Sequence, residues 1–182
     1  MALTVEDGTG LTTADSYLSE ADADTYMTAF MRDDAAWSGA TSAAKEQALR
    51  EATQLLDALY GRRWVGVRYS SDQSLHWPRS GGVDFDGFAI AATSVPTKVQ
   101  NATCEMAWRA ITVGGVDTST GDSTKLAADK SAGGNIASEM VKAGSVATET
   151  SYLGGKSAVK EYRKIELMLA GYLKPAGVVT RG

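Results

Sequence analysis

The stretch SAAKEQALREATQLLDALYGRRW, residues 42–64, decides the fold. Ala48, Ala52, Leu55, Leu56 and Leu59 recur in it at helical spacing and form one apolar stripe. Glu46 sits early in the run and Gly61 stands where a helix would stop. It is the strongest helix signal in the chain, and it makes the protein mainly α.

Three further helices frame it. Upstream, Ser19 reads as an N-cap followed by the acidic first turn Glu20, Asp22 and Asp24, which complements the helix dipole. Ala23, Tyr26, Met27, Phe30 and Met31 continue as a stripe that Asp33 and Asp34 end. Downstream, a helix opens near Pro96, after Ser94 or Val95, because proline suits the first turn. Val99, Ala102, Thr103, Met106, Ala107, Ala110 and Ile111 carry it to Gly114 and Gly115. The last helix is expected over 157–173, with Tyr162, Ile165, Leu169 and Leu173 inward and Pro175 and Gly177 closing it.

Two long connections remain. Residues 62–93 are too many for an idle loop in a compact domain. Residues 114–156 are rich in Gly, Ser, Thr, Ala and Asp, and within them 136–142 and 145–151 flank Ala143-Gly144 as a β-hairpin. Gly133-Gly134 and Gly154-Gly155 would be its hinges. The expected fold is therefore a small four-helix bundle with a projecting β-hairpin, an extended N-terminal arm (1–18) and a C-terminal tail (175–182). The helical core takes 19–113 and the last helix 157–174. So much chain outside a core suggests assembly more than catalysis.

Bulk properties narrow the classes. The 182 residues carry a net charge of −4, which counts against general nucleic-acid binding, since that needs a basic face. Cys104 is the single cysteine, so no intrachain disulfide forms and a cysteine-based zinc site is not expected. The N-terminal residues lack the basic and apolar regions of a signal peptide. No apolar run approaches the ~20 residues that span a bilayer. A soluble protein made in a cytoplasm, without cofactor or metal, is the expectation.

Few residues invite chemistry. SLHWPRSGG, residues 74–82, holds the only histidine beside a tryptophan, a proline and an arginine. His76 could act as a base, with Ser74, Ser80 and Asp72 close in sequence, but no G-x-S-x-G elbow exists and loop neighbours rarely form a triad. It reads as a structural loop histidine, and no catalytic residue is expected. Pro78 biases Trp77 to extended backbone, so the segment is a stiff piece that presents or buries a tryptophan. Asp84, Asp86 and Gly87 echo part of a calcium loop without its distal glutamate, and read as a turn. Gly155-Lys156-Ser157 lacks the first glycine of a P-loop, which would fall at Thr150. Asn101 opens a formal glycosylation sequon inside a helix.

YGRRWVGVRY, residues 60–69, interleaves Arg62, Arg63 and Arg68 with Tyr60, Trp64 and Tyr69, a composition suited to base stacking and phosphate contact. The competing structural reading has Tyr60 and Trp64 finish the core while the arginines pair with acidic side chains. The negative balance favours it.

In series these motifs resemble a family of tailed-bacteriophage proteins. They are MALTVEDGTGL (1–11), ADSYLSEADADTY (14–26), LDALYGRRWVG (56–66), QSLHWPRSGGVDFDG (73–87) and VPTKV (95–99). They cover about the first 110 residues; beyond Gly114 the likeness is a hairpin, a final helix and a tail. The chain is similar to head–tail connector, or head-completion adaptor, proteins, a family also labelled DnaT-like single-stranded-DNA-binding. The resemblance implies a non-enzymatic virion protein of the neck, made in a bacterial host. It would form a ring, commonly a dodecamer, that joins portal to tail or nozzle and lines the channel through which double-stranded DNA passes. By that analogy Lys174, Pro175, Val178, Val179 and Arg181 would dock to the portal. The N-terminal arm with Arg62, Arg63, Trp64, Trp77, Pro78 and Arg79 would meet neighbouring subunits or the tail. The alternative is a single-stranded-DNA-binding protein of phage replication.

Overall fold

A computed structural model describes residues 2–30, 35–112, 139–143, 146–150 and 162–174. Two compact units divide the chain, the first made of Met1–Ala127 with Ile165–Gly182 and the second of Ala128–Lys164.

In the first unit, α1 (Glu20–Ala29), a one-turn α2 (Ala35–Ser38), α3 (Ser42–Tyr60) and α4 (Thr97–Thr112) pack together. The most extensive contact is α3 on α4. Ser19 Oγ caps α1 by accepting from Asp22 N at 3.1 Å, and Thr41 Oγ1 caps α3 by accepting from Ala44 N at 3.3 Å. Leu49, Ala52 and Leu56 of α3 and Val99, Ala102, Met106 and Ala107 of α4 are buried, as are Ala23 and Met27 of α1. Trp37 of α2 is buried too, its Nε1 donating to Asp24 Oδ1 at 2.8 Å, and Lys45 Nζ shares that oxygen at 2.8 Å.

The expected stripe on α3 is rotated by part of a turn. Leu49, Thr53 and Tyr60 join the core, Leu55 is half-buried, and Leu59 is 39% exposed. α4 packs on this helix, and the buried line runs through Leu49 and Leu56 rather than Leu59. Phe30 is likewise exposed although its spacing predicted burial. α5 (Arg163–Leu169) followed by a 3₁₀ turn (Ala170–Tyr172) is shorter than the expected last helix, and 157–161 lie outside the described residues. Its inward set is as the spacing predicts, with Ile165, Leu169 and Leu173 buried.

Two small antiparallel pairs complete the fold. β1 (Val67–Arg68) pairs with β2 (Arg79–Ser80), in the register Val67 with Ser80 and Arg68 with Arg79. In the second unit, β3 (Glu139–Ala143) pairs with β4 (Val146–Thr150), the hairpin its alternation predicts. The glycine hinges proposed for it lie outside the described residues, as do Met31, Asp33 and Asp34.

Residues 2–18 carry no helix, but they lie on the body rather than projecting from it. Ala14, Tyr17 and Leu18 are buried, and Arg50 of α3 holds Asp15 at 2.7 Å. The buried Glu6 carboxylate accepts from the backbone of Gly8, Gly10 and Leu11, each at 2.9 Å, and so folds the VEDGTG turn around itself. Backbone amides that would need water in a free arm are satisfied internally.

Candidate functional site

The connection between α3 and α4 builds one dense cluster. α3 ends where Gly61 meets the His76 imidazole, a place with no room for a Cβ. The chain then turns through Arg63 to Trp64, both amides returning to Tyr60 O. Trp64 is 1% exposed and Trp77 0%, and their rings meet edge-on with centroids 5.6 Å apart. Tyr172 closes on the other side of Trp77 at 6.0 Å, and Tyr60 lies 6.1 Å from Trp64. Rings at these separations and tilts gain beyond plain burial, so the four aromatics form a lock between α3, the loop and the 3₁₀ turn. The Trp77–Pro78 peptide is cis.

Polar side chains hold the loop from inside. The Arg79 guanidinium is spent on three carbonyls: Val65 O at 2.7 Å, Gly66 O at 2.8 Å and His76 O at 3.1 Å. Burial lowers its pKa, against the opposing pull of Tyr17 and Asp57. Gln73 spans the same loop, donating to Leu75 O and Pro78 O and accepting from Ser70 N. Tyr17 Oη donates to Asp57 Oδ1 at 2.6 Å, while His76 N donates to Asp57 Oδ2 at 3.0 Å and Trp77 N to Tyr17 Oη at 3.2 Å. Burial raises the Asp57 pKa against the effect of these hydrogen bonds, and burial with Asp57 beside it pushes Tyr17 well up. One network therefore ties the N-terminal segment, α3 and the loop.

Nothing in this arrangement is set up as a triad. Ser74 Oγ donates to Ala14 O at 2.6 Å, and Asp72 accepts from Ser71 Oγ at 3.0 Å. Asp57 takes the His76 backbone amide, while His76 Nδ1 is buried without a hydrogen-bond partner. The Asp84 turn uses its own carboxylate: Asp84 Oδ1 accepts from Asp86 N at 3.0 Å and Phe88 N at 2.9 Å. Among the described residues no group of three or more His, Cys, Asp or Glu side chains could hold a metal ion. Cys104 is buried, which raises its thiol pKa.

The residues expected at a subunit or tail interface thus divide. Trp64, Trp77, Pro78 and Arg79 are buried within this chain, as the core-finishing reading of Trp64 expects. Their partners are Tyr60, four residues before Trp64, carbonyls of the same loop and, from far along the chain, Tyr172. Arg63 is half-buried and donates to Glu166 at 2.9 Å, while Arg62 is exposed. Of the portal-docking set, Lys174 is exposed, and Pro175, Val178, Val179 and Arg181 lie outside the described residues, as do Lys156 and Ser157.

Sequence reasoning passed over Glu6, Tyr17 and Asp57, each lying within a quoted motif with no role assigned. It also passed over Phe85 and Phe88, which are 89% and 71% exposed. Two hydrophobic rings in a short turn flanked by aspartates were the signal for the latter pair. No helix among the described residues is long and apolar enough to cross a membrane.

A family model described as "Putative DnaT-like ssDNA binding protein" matches residues 1–182. No curated protein and no solved structure matches.

Proposed function

The chain belongs to this DnaT-like family, and within it we propose a structural role: a head–tail adaptor subunit that assembles between portal and tail and lines the DNA channel. The observation that carries the proposal is where the aromatic and arginine side chains go. Trp64 and Trp77 are locked in the core, and Arg79 and Arg63 are spent on carbonyls and on Glu166. Part of what composition offered as a stacking and phosphate-binding face, Tyr60, Trp64 and Arg63, serves instead to stiffen the body. The net charge of −4 suits a channel wall that must let DNA slide. The motif series over the first 110 residues and a separate hairpin-bearing unit, Ala128–Lys164, suit a ring subunit.

The test is electron microscopy of the full chain mixed with its phage's portal protein. A ring of this chain at the portal's tail-facing end is the expected image. Empty portals in the presence of excess protein would remove the adaptor. Deleting residues 175–182 is expected to abolish portal binding in a pull-down, and unchanged binding would remove that docking assignment.

A second reading, single-stranded-DNA binding, is favoured by the family's own description. Tyr69, Phe85 and Phe88 stay exposed, and Arg62 and Arg68 are exposed as well, so a smaller stacking surface remains available. It predicts salt-sensitive oligonucleotide binding weakened by Arg62→Ala or Arg68→Ala.

A further inference from the structure

The segment that leads into the C-terminal tail is fixed against the end of the aromatic cluster. Val65 N donates to Tyr172 O at 3.0 Å and Lys174 N to Arg63 O at 2.6 Å, on either side of the antiparallel Trp64–Leu173 bridge. Arg63 N is already given to Tyr60 O, so this pairing stops at Lys174. The tail, residues 175–182, therefore starts from a fixed point. Three positions before that point, Gly171 lies against the turn 84–88, since a Cβ on it would stand 3.8 Å from both Phe85 N and Phe85 Cβ. Phe85 and Phe88 stay exposed beside this contact, as does Leu167, one helical turn before Gly171. The turn itself is ordered: Asp84 N donates to Phe88 O at 2.9 Å and Gly87 N to Asp84 O at 3.1 Å. An exposed apolar patch thus lies at the root of the tail, and such a concentration marks a contact surface.

We propose that in the free protein this patch holds the chain's own C-terminal tail, with Val178 and Val179 laid over Phe85 and Phe88. Length, composition and charge choose the occupant. Pro175 and Gly177 are turn residues, which let the chain double back directly after Lys174. Val178 and Val179 follow within a span of up to about 17 Å, whereas Gly171 lies no more than about 10 Å of chain behind Lys174, so the tail reaches the patch. Arg181, the tail's one charged side chain, then meets Asp84 and Asp86, the pair that flanks Phe85 and disfavours nucleic-acid phosphates. Tethering holds the tail at a local concentration in the millimolar range, so a contact too small for two free molecules is still populated. The tail is also the segment assigned to the portal, so patch and portal compete for it. That competition rests on the adaptor reading above; the contact does not.

Methyl NMR of the full chain tests it. Nuclear Overhauser contacts from the Val178 and Val179 methyls to the Phe85 or Phe88 ring are expected, with ring-current shifts that do not change on dilution. Phe85→Ser with Phe88→Ser should return those methyls to random-coil positions with the thermal midpoint unchanged. Val178→Ser with Val179→Ser, which leaves the body untouched, should shift the Phe85 and Phe88 ring signals. Random-coil valine methyls in the wild type overturn the contact, as do shifts that vanish on dilution, which make a second copy the occupant. A portal pull-down tests the competition. With the tail held in about 70–90% of free molecules, the phenylalanine double variant should bind portal about three- to tenfold more tightly. Equal or weaker binding overturns the competition. Methyl contacts in a chain that no portal captures leave the patch assignment standing and sink the adaptor reading; random-coil methyls in a chain that portal does capture do the reverse.

Discussion

Trp77, Pro78 and Arg79 turn inward, while Phe85 and Phe88, a few positions further along the same connection, face solvent. Both stretches combine aromatic side chains with glycine turns, and composition does not separate them. Partners do. Trp77 has Trp64 and Tyr172 on its edges, and Arg79 finds carbonyls from Val65, Gly66 and His76. The Asp84 turn satisfies its own backbone through the Asp84 carboxylate, and its two rings stay exposed. A side chain that completes the fold is unavailable for a partner, and one that the fold does not need is a candidate for it.

That contrast breaks or holds under substitution. Trp77→Ala should cost about 3–5 kcal/mol in denaturant-measured stability, as emptying a buried indole site does, whereas Phe85→Ala should stay within about 0.5 kcal/mol. Equal effects would erase the distinction. Arg79→Lys keeps the charge but loses the planar fork that reaches three carbonyls, and should cost about 1–3 kcal/mol in the same assay. A neutral result would mean those carbonyls are satisfied otherwise.

The Asp57 network sharpens the comparison through pH. Its carboxyl titrates higher in the folded state, because burial disfavours the charged form. Between the ordinary value of 3.8 and its raised folded value, the native chain holds a proton that the unfolded chain has released. Asp57's contribution to stability is therefore greatest below that window and falls as pH rises through it. Asp57→Asn should remove this slope, seen as the difference between the two stability–pH curves, and parallel curves would contradict it. Smaller still, Glu6→Gln should speed hydrogen exchange at Gly8, Gly10 and Leu11 while leaving exchange in the α3–α4 core unchanged.

Much of this architecture was legible in advance. The α4 stripe and the existence of the β3–β4 hairpin follow from local periodicity and turn residues, though Ala143, expected in the turn, ends β3 opposite Val146. The rotation that exposes Leu59 was not legible, since it depends on which flank α4 covers. The inward turn of Trp64 was legible as the favoured reading of 60–69, whereas that of Trp77 stayed open, because its partner Tyr172 lies about a hundred positions away in the chain. The buried carboxylates were hidden for the same reason. Glu6 and Asp57 look like surface acids until the amides and the Tyr17 hydroxyl they accept from are folded around them.

Trp64, Trp77 and Arg79 fasten this chain internally, and the adaptor proposal requires that the exposed Arg62, Arg68 and Tyr69 beside them do not bind DNA. Fluorescence anisotropy of a labelled single-stranded oligonucleotide, titrated with the full chain at low salt, tests it most directly. No saturable binding is expected. Saturable, salt-sensitive binding that a folded Trp64→Phe or Arg79→Lys variant loses would contradict it.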